Sequence, residues 1–173
     1  MKLTDLTHNS DNMPEAEQIE FVTLDPDNLQ YIKNPSRNVQ LAAIKSNTDS
    51  IRHIIDPDEK LQLLAVKKRP TSIKFILLPT EEVKKLAVSM DGSTLKYIYH
   101  PSKELQTIAV KNYSSAIRFI RNPAKSVQKL AVSKEPSSIQ YIENPEEDIQ
   151  NLAVKKTHKL SNGSKNQSRM FSI

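Results

Sequence analysis

The chain has 173 residues, with 25 basic and 20 acidic side chains, ten prolines, two glycines and no cysteine. These counts exclude a disulfide framework, a thiolate zinc site and a cysteine nucleophile, and two glycines are too few for a phosphate-cradling loop. The longest apolar run is too short to span a bilayer, and the start, Met1-Lys2-Leu3-Thr4-Asp5, has no apolar signal-peptide core; the expectation is a soluble cytoplasmic protein without a membrane segment.

In chain order, residues 1–16 are polar and are expected to be a flexible N-terminus. Residues 17–33 read as a degenerate unit: Ile19, Val22, Leu29, Tyr31 and Ile32 keep the columns of the later repeats, while Phe21 replaces an alanine. From there a period of 22 sets in, with Pro35, Pro57, Pro79, Pro101, Pro123 and Pro145. Eight residues past each proline stands an alanine (Ala43, Ala65, Ala87, Ala109, Ala131, Ala153), followed by a β-branched residue (Ile44, Val66, Val88, Val110, Val132, Val154). Agreement of so many columns is the signature of a stacked array.

Each unit reads as two short helices. The first is expected to use the Asn or Asp of Asn34-Pro35, Asp56-Pro57, Asn122-Pro123 and Asn144-Pro145 as N-cap, with proline at the first helical position. Apolar residues then recur at helical spacing, as in Val127, Leu130, Ala131 and Val132. The second limb starts near Pro70, Gly92, Ser114 or Pro136 and carries the pattern Ile73-Lys74-Phe75-Ile76, repeated as Ile117-Arg118-Phe119-Ile120. Helices this short are marginal alone, so neighbouring units must bury their faces. The spacing predicts an all-α fold: an α-solenoid of about six 22-residue two-helix repeats over residues 17–156, with a degenerate N-terminal cap. Residues 157–173, poor in apolar side chains, are expected to form a flexible basic tail.

Residues 1–33 carry a net charge of −5 and residues 34–156 a net charge of +7, and the cations fall in columns. Ten positions past the proline lie Lys45, Lys67, Lys111 and Lys155; seventeen past it lie Arg52, Lys74, Lys96 and Arg118. In a stacked array each column becomes a stripe. Such a stripe suits an acidic protein surface or a phosphate backbone, although solvation of exposed helix faces is the commoner use of cations. An α-helical wheel places the aromatic column (Tyr31, Phe75, Tyr97, Phe119, Tyr141, with His53 as exception) on the core arc, and a glutamine column (Gln40, Gln62, Gln106, Gln128, Gln150) at its margin, there to satisfy backbone at the repeat junctions. The four histidines share no metal-ligand spacing, and no nucleophile motif or isolated carboxylate pair stands out. No enzyme activity, cofactor or metal is expected.

The block Asn122-Pro123-Ala124-Lys125-Ser126-Val127-Gln128-Lys129-Leu130-Ala131-Val132 resembles units of short two-helix arrays found in bacterial, phage and large-virus proteins, and is similar to leucine-rich-repeat-variant and HEAT-like units. The unit is shorter than a HEAT repeat; the leucine-rich-repeat variant has a 3₁₀ second limb, so both α and 3₁₀ stay open for that limb here. The resemblance implies a non-catalytic protein-binding scaffold, an adaptor or inhibitor, in a monomer or weak homo-oligomer. The Lys- and Asn-rich composition suits a phage-encoded protein of this kind. Binding of nucleic acid or a nucleotide through the stripes is the alternative.

Overall fold

The computed structural model describes the backbone of residues 13–170 and the side chains of residues 13–159. Among the described residues there are seven α-helices, six 3₁₀ helices and no strand. The α-helices are α1 (Glu15–Leu24), α2 (Arg37–Ser46), α3 (Glu59–Lys68), α4 (Glu81–Met90), α5 (Lys103–Asn112), α6 (Lys125–Lys134) and α7 (Glu147–Met170). The 3₁₀ helices alternate with them as η1 (Pro26–Tyr31), η2 (Thr48–His53), η3 (Pro70–Phe75), η4 (Gly92–Tyr97), η5 (Ser114–Phe119) and η6 (Pro136–Tyr141). The protein is an all-α array of 22-residue two-helix repeats. It divides into two compact units, Met1–Ala87 and Val88–Ile173.

Among the described residues, every α limb except α7 is followed by a 3₁₀ limb, and the rise of that helix helps to close the repeat. Ten α residues rise about 15 Å, whereas six residues in an α-helix would return only about 9 Å. Six 3₁₀ residues cover about 12 Å and bring the chain back close to where the next α limb begins. A single extended residue makes the turn: Asn47 (φ −144°) is at once the C-cap of α2 and the N-cap of η2. Its amide donates to Ala43 and its side chain accepts from the Asp49 amide at 3.0 Å. Asp25 and Asp91 repeat this bond to residues 27 and 93.

The N-cap of the α limb lies one residue past the proline, not before it. Ser36 accepts from the Val39 amide at 3.4 Å, Asp58 from Leu61 at 2.9 Å, Thr80 from Val83 at 3.4 Å and Ser102 from Leu105 at 3.3 Å. Proline therefore stands outside the helix, leaving its carbonyl without an intrahelical donor. The glutamine column supplies that donor: Gln40, Gln62, Gln106, Gln128 and Gln150 each donate Nε2 to the carbonyl five residues back, at 2.8–3.0 Å. Gln18 makes the same bond to Met13 at 3.0 Å, which places α1 in register with the full repeats. The helix thus begins at Glu15, inside the segment expected to be flexible; residues 1–12 lie outside the described residues. At the other end α7 continues through residues 157–170, where a flexible tail is expected, because no proline or extended residue interrupts it.

The core is formed by the repeat columns. Val39, Leu61, Val83, Leu105, Val127 and Ile149 are sealed from solvent, as are the alanines from Ala43 to Ala131. In the 3₁₀ limbs Ile51, Ile73, Leu95 and Ile117 are likewise fully buried. Polar links tie α-limb starts to those of the next repeat: Glu15 accepts from Ser36 and Asn38, Arg37 pairs with Asp58, and Thr80 donates to Glu59. In the second unit Lys125 contacts Glu146 at 2.6 Å and Asp148 at 3.1 Å, and Lys129 contacts Asp148 at 3.0 Å. The bond to Glu146, then that to Asp148, raises Lys125 above the usual lysine range; Lys129, then Lys125, holds the Asp148 carboxyl below the usual carboxylate range.

Two substitutions test this packing. A Cβ on Gly92 would lie 2.4 Å from the Ala109 carbonyl oxygen and 2.9 Å from Tyr113 Cβ, neither of which is a flexible side-chain end. Gly92→Ala should lower unfolding stability by roughly 1–3 kcal/mol, as overpacking does, read from the urea midpoint. Ser138 Oγ is buried without a hydrogen-bond partner, whereas Ser72 Oγ lies within hydrogen-bond distance of Thr48 Oγ1 at 2.9 Å and of Asp49 Oδ1 at 3.2 Å. Ser138→Ala should be neutral or stabilising, while Ser72→Ala should cost about 0.5–1.5 kcal/mol in the same measurement.

Candidate binding surface

The structure sorts the eight candidate cations into two sets at opposite ends of the α limbs. Lys45, Lys67 and Lys111 sit in the last turn of α2, α3 and α5, where the helix dipole favours cations; Lys155 occupies the same column within α7. In this region the backbone is used for stacking: Lys68 donates to the Lys45 carbonyl at 2.5 Å, Lys134 to the Lys111 carbonyl, and Asn112 to the Ser89 carbonyl at 2.9 Å. Helix termination accounts for Lys45, Lys67 and Lys111, whereas Lys155 lies in the middle of α7.

Arg52, Lys74, Lys96 and Arg118 are the fifth residues of η2 to η5, at the edge where the next α limb starts. Their surroundings differ from the expectation for the aromatic column. None of those rings is core: Tyr31 is 44% and Tyr97 37% exposed, and Phe75, Phe119 and Tyr141 are half-buried. The 3₁₀ geometry is the reason. At three residues per turn, positions three apart eclipse, so Ile73 and Ile76 form one buried ridge. Lys74 and Phe75 then fall on the other two ridges, to either side of it. Cation and ring become neighbours.

In the first unit Lys74 Nζ lies 4.5 Å from the Phe75 ring centre and the Arg52 guanidinium 5.6 Å from the same ring. Arg52 also pairs with Asp27 at 2.8 Å and donates to His53 at 3.1 Å. In the second unit Lys96 lies 4.8 Å from Tyr97, and the Arg118 guanidinium lies 4.7 Å from Phe119, 5.8 Å from Tyr141 and 5.9 Å from Tyr113. Among the described residues no carboxylate pairs with Lys74, Lys96 or Arg118.

This edge also carries a feature the sequence did not disclose. In the first unit Ile55 is 95%, Leu77 86% and Leu78 78% exposed; in the second, Tyr99 is 88% exposed. All lie in the short link between a 3₁₀ limb and the proline. Their signal in the sequence is weak: the column two before the proline reads Lys33, Ile55, Leu77, Tyr99, Arg121, Glu143, and its apolar members match core residue types. The second unit has two concavities at this edge. One, of about 660 Å³, is lined by Lys96, Tyr99, His100, Phe119, Arg121 and Asn122 among others; the other, of about 490 Å³, by Arg118, Arg121, Tyr141, Glu143 and Asn144 among others. A third cavity, about 700 Å³, lies between η6 and α7 beside Ile139 and the 56%-exposed Val154, and contains none of the eight cations.

Among the described residues no cluster of His, Asp or Glu has the makings of a metal site, and no helix is long and apolar enough to cross a membrane. Arg118→Gln removes a cation from three rings and should cost about 0.5–1 kcal/mol of stability, typical of exposed cation–π contacts, whereas Lys111→Gln should stay within about 0.5 kcal/mol; urea titration of both variants checks this. Comparison with protein-family models, curated proteins and solved structures finds no match, so function rests on this surface alone.

Proposed function

We propose that the protein is a non-catalytic binding scaffold, an adaptor or inhibitor working in the cytoplasm, that takes a partner protein along the edge where the 3₁₀ limbs end. One observation carries this reading: Ile55, Leu77 and Leu78 are large apolar side chains held almost wholly in water on consecutive repeats of the first unit. Exposed apolar clusters rimmed by charge mark protein interaction sites, and the exposed Arg52 and Lys74 stand three residues before Ile55 and Leu77 in the chain. Tyr99 holds the equivalent repeat position in the second unit and is likewise exposed.

Nucleic-acid binding is the second reading, favoured by the cation–ring contacts, since stacking rings beside cations suit single strands. A pull-down from nuclease-treated bacterial lysate separates the two. The scaffold reading expects a stoichiometric protein, retained after nuclease and reduced at least tenfold by the combined Ile55→Ser, Leu77→Ser and Leu78→Ser changes, with circular dichroism unchanged. Undiminished capture by that variant would remove the apolar edge as the binding surface. Recovery of nucleic acid alone, lost as salt rises and on changing Arg52, Lys74, Lys96 and Arg118 to Ser, would establish the second reading instead.

A further inference from the structure

The two concavities of the second unit are successive copies of one groove, offset by a repeat. Lys96 and Arg118 stand at equivalent positions, as do the rings of Tyr97, Phe119 and Tyr141. Arg121 and Asn122 line both concavities, which therefore adjoin. Their cations are Lys96, Arg118 and Arg121, against one carboxylate, Glu143. The residues before the prolines at these lips, His100 (φ 48°) and Asn144 (φ 51°), are the described non-glycine residues with left-handed backbone. That conformation is uncommon and collects at binding sites.

The spacing matters most. Packed α-helices generally lie about 8–10 Å apart, and a polyproline II helix advances about 9.3 Å per three-residue turn. Every third side chain of such a ligand therefore returns to the same face at about the spacing at which helices stack. Aromatic-walled grooves are the usual seat of this conformation.

We propose that the second unit binds an extended, polyproline II-like peptide bearing a carboxylate at every third residue, its acids meeting Lys96 and Arg118 with Arg121 shared by both concavities, and its backbone lying across Phe119 and Tyr141. This rests on the reading of the protein as a binder of other proteins. It names the chemistry of one partner segment.

Fluorescence anisotropy with the full chain and labelled synthetic peptides tests it. The probe is (Glu-Pro-Pro)4; its comparison has the same composition with the four glutamates in one block. The proposal expects (Glu-Pro-Pro)4 to bind at least fivefold more tightly than the block peptide, and to lose at least tenfold in affinity with Arg118→Ser plus Arg121→Ser. Lys111→Ser, at the other end of the α limb, should leave affinity unchanged, and Arg118→Lys, which keeps the charge and spares the fold, should retain part of it. Equal binding of the two peptides would overturn the proposal, since attraction without register is generic. Tighter binding of a single-stranded oligothymidylate of equal length would overturn it in favour of nucleic acid. If (Glu-Pro-Pro)4 fails to bind while the first unit still captures a protein through Ile55, Leu77 and Leu78, this inference falls and the scaffold reading stands.

Discussion

A chain that must climb one limb and descend another within 22 residues faces a length constraint, and the fold is set by how it is met. The α limb uses ten residues for about 15 Å, and one extended residue turns the chain. Of the eleven residues that remain, five form the link to the next α limb and six form the 3₁₀ return, whose rise of about 12 Å exceeds the roughly 9 Å of six α residues. Its three-fold side-chain arrangement then sets the surface: one ridge for isoleucine, and one on each side for the cation and the ring. The contacts of Arg118 with Phe119 and Tyr141 are thus a by-product of chain closure before they are anything else.

A second constraint is the satisfaction of polar groups at each α-limb start. Proline ahead of the cap leaves a carbonyl that the helix cannot serve, and the glutamine five residues on serves it. This replaces the apolar contact that often spans the same two helix positions. Gln62 extends the principle between repeats, with Oε1 accepting from the Thr80 amide at 3.3 Å while Nε2 holds Pro57. Where lysine takes the column, as Lys84, it pairs instead with Glu81 at 2.7 Å.

Much of this is legible in the residues, and the exceptions share a cause. Period, alanine column, glutamine role and the starts of the second limbs at Pro70, Gly92, Ser114 and Pro136 all come from spacing, because spacing is what stacking constrains. A 100° wheel misplaces the aromatic column, since the angle in these limbs is close to 120°. Asn-Pro carries the same residue types as a cap and so points to an N-cap before the proline; the bonds that Ser36, Asp58, Thr80 and Ser102 accept from the Val39, Leu61, Val83 and Leu105 amides put it after. Ile55, Leu77 and Leu78 give only a weak warning in the sequence, since a leucine in water and a leucine in the core are the same letter. Their exposure depends on a link that belongs to neither limb.

The same link governs how the molecule can change over time. The columns that close the repeat (proline, glutamine, alanine, isoleucine) are occupied by hydrogen bonds and packing. The position two before the proline holds an aliphatic residue, an aromatic, an arginine and a glutamate in different repeats, at Ile55, Tyr99, Arg121 and Glu143, all exposed. Packing and the exposed edge therefore occupy separate places along the chain. Single substitutions at the edge, repeat by repeat, leave untouched the core that holds it in position.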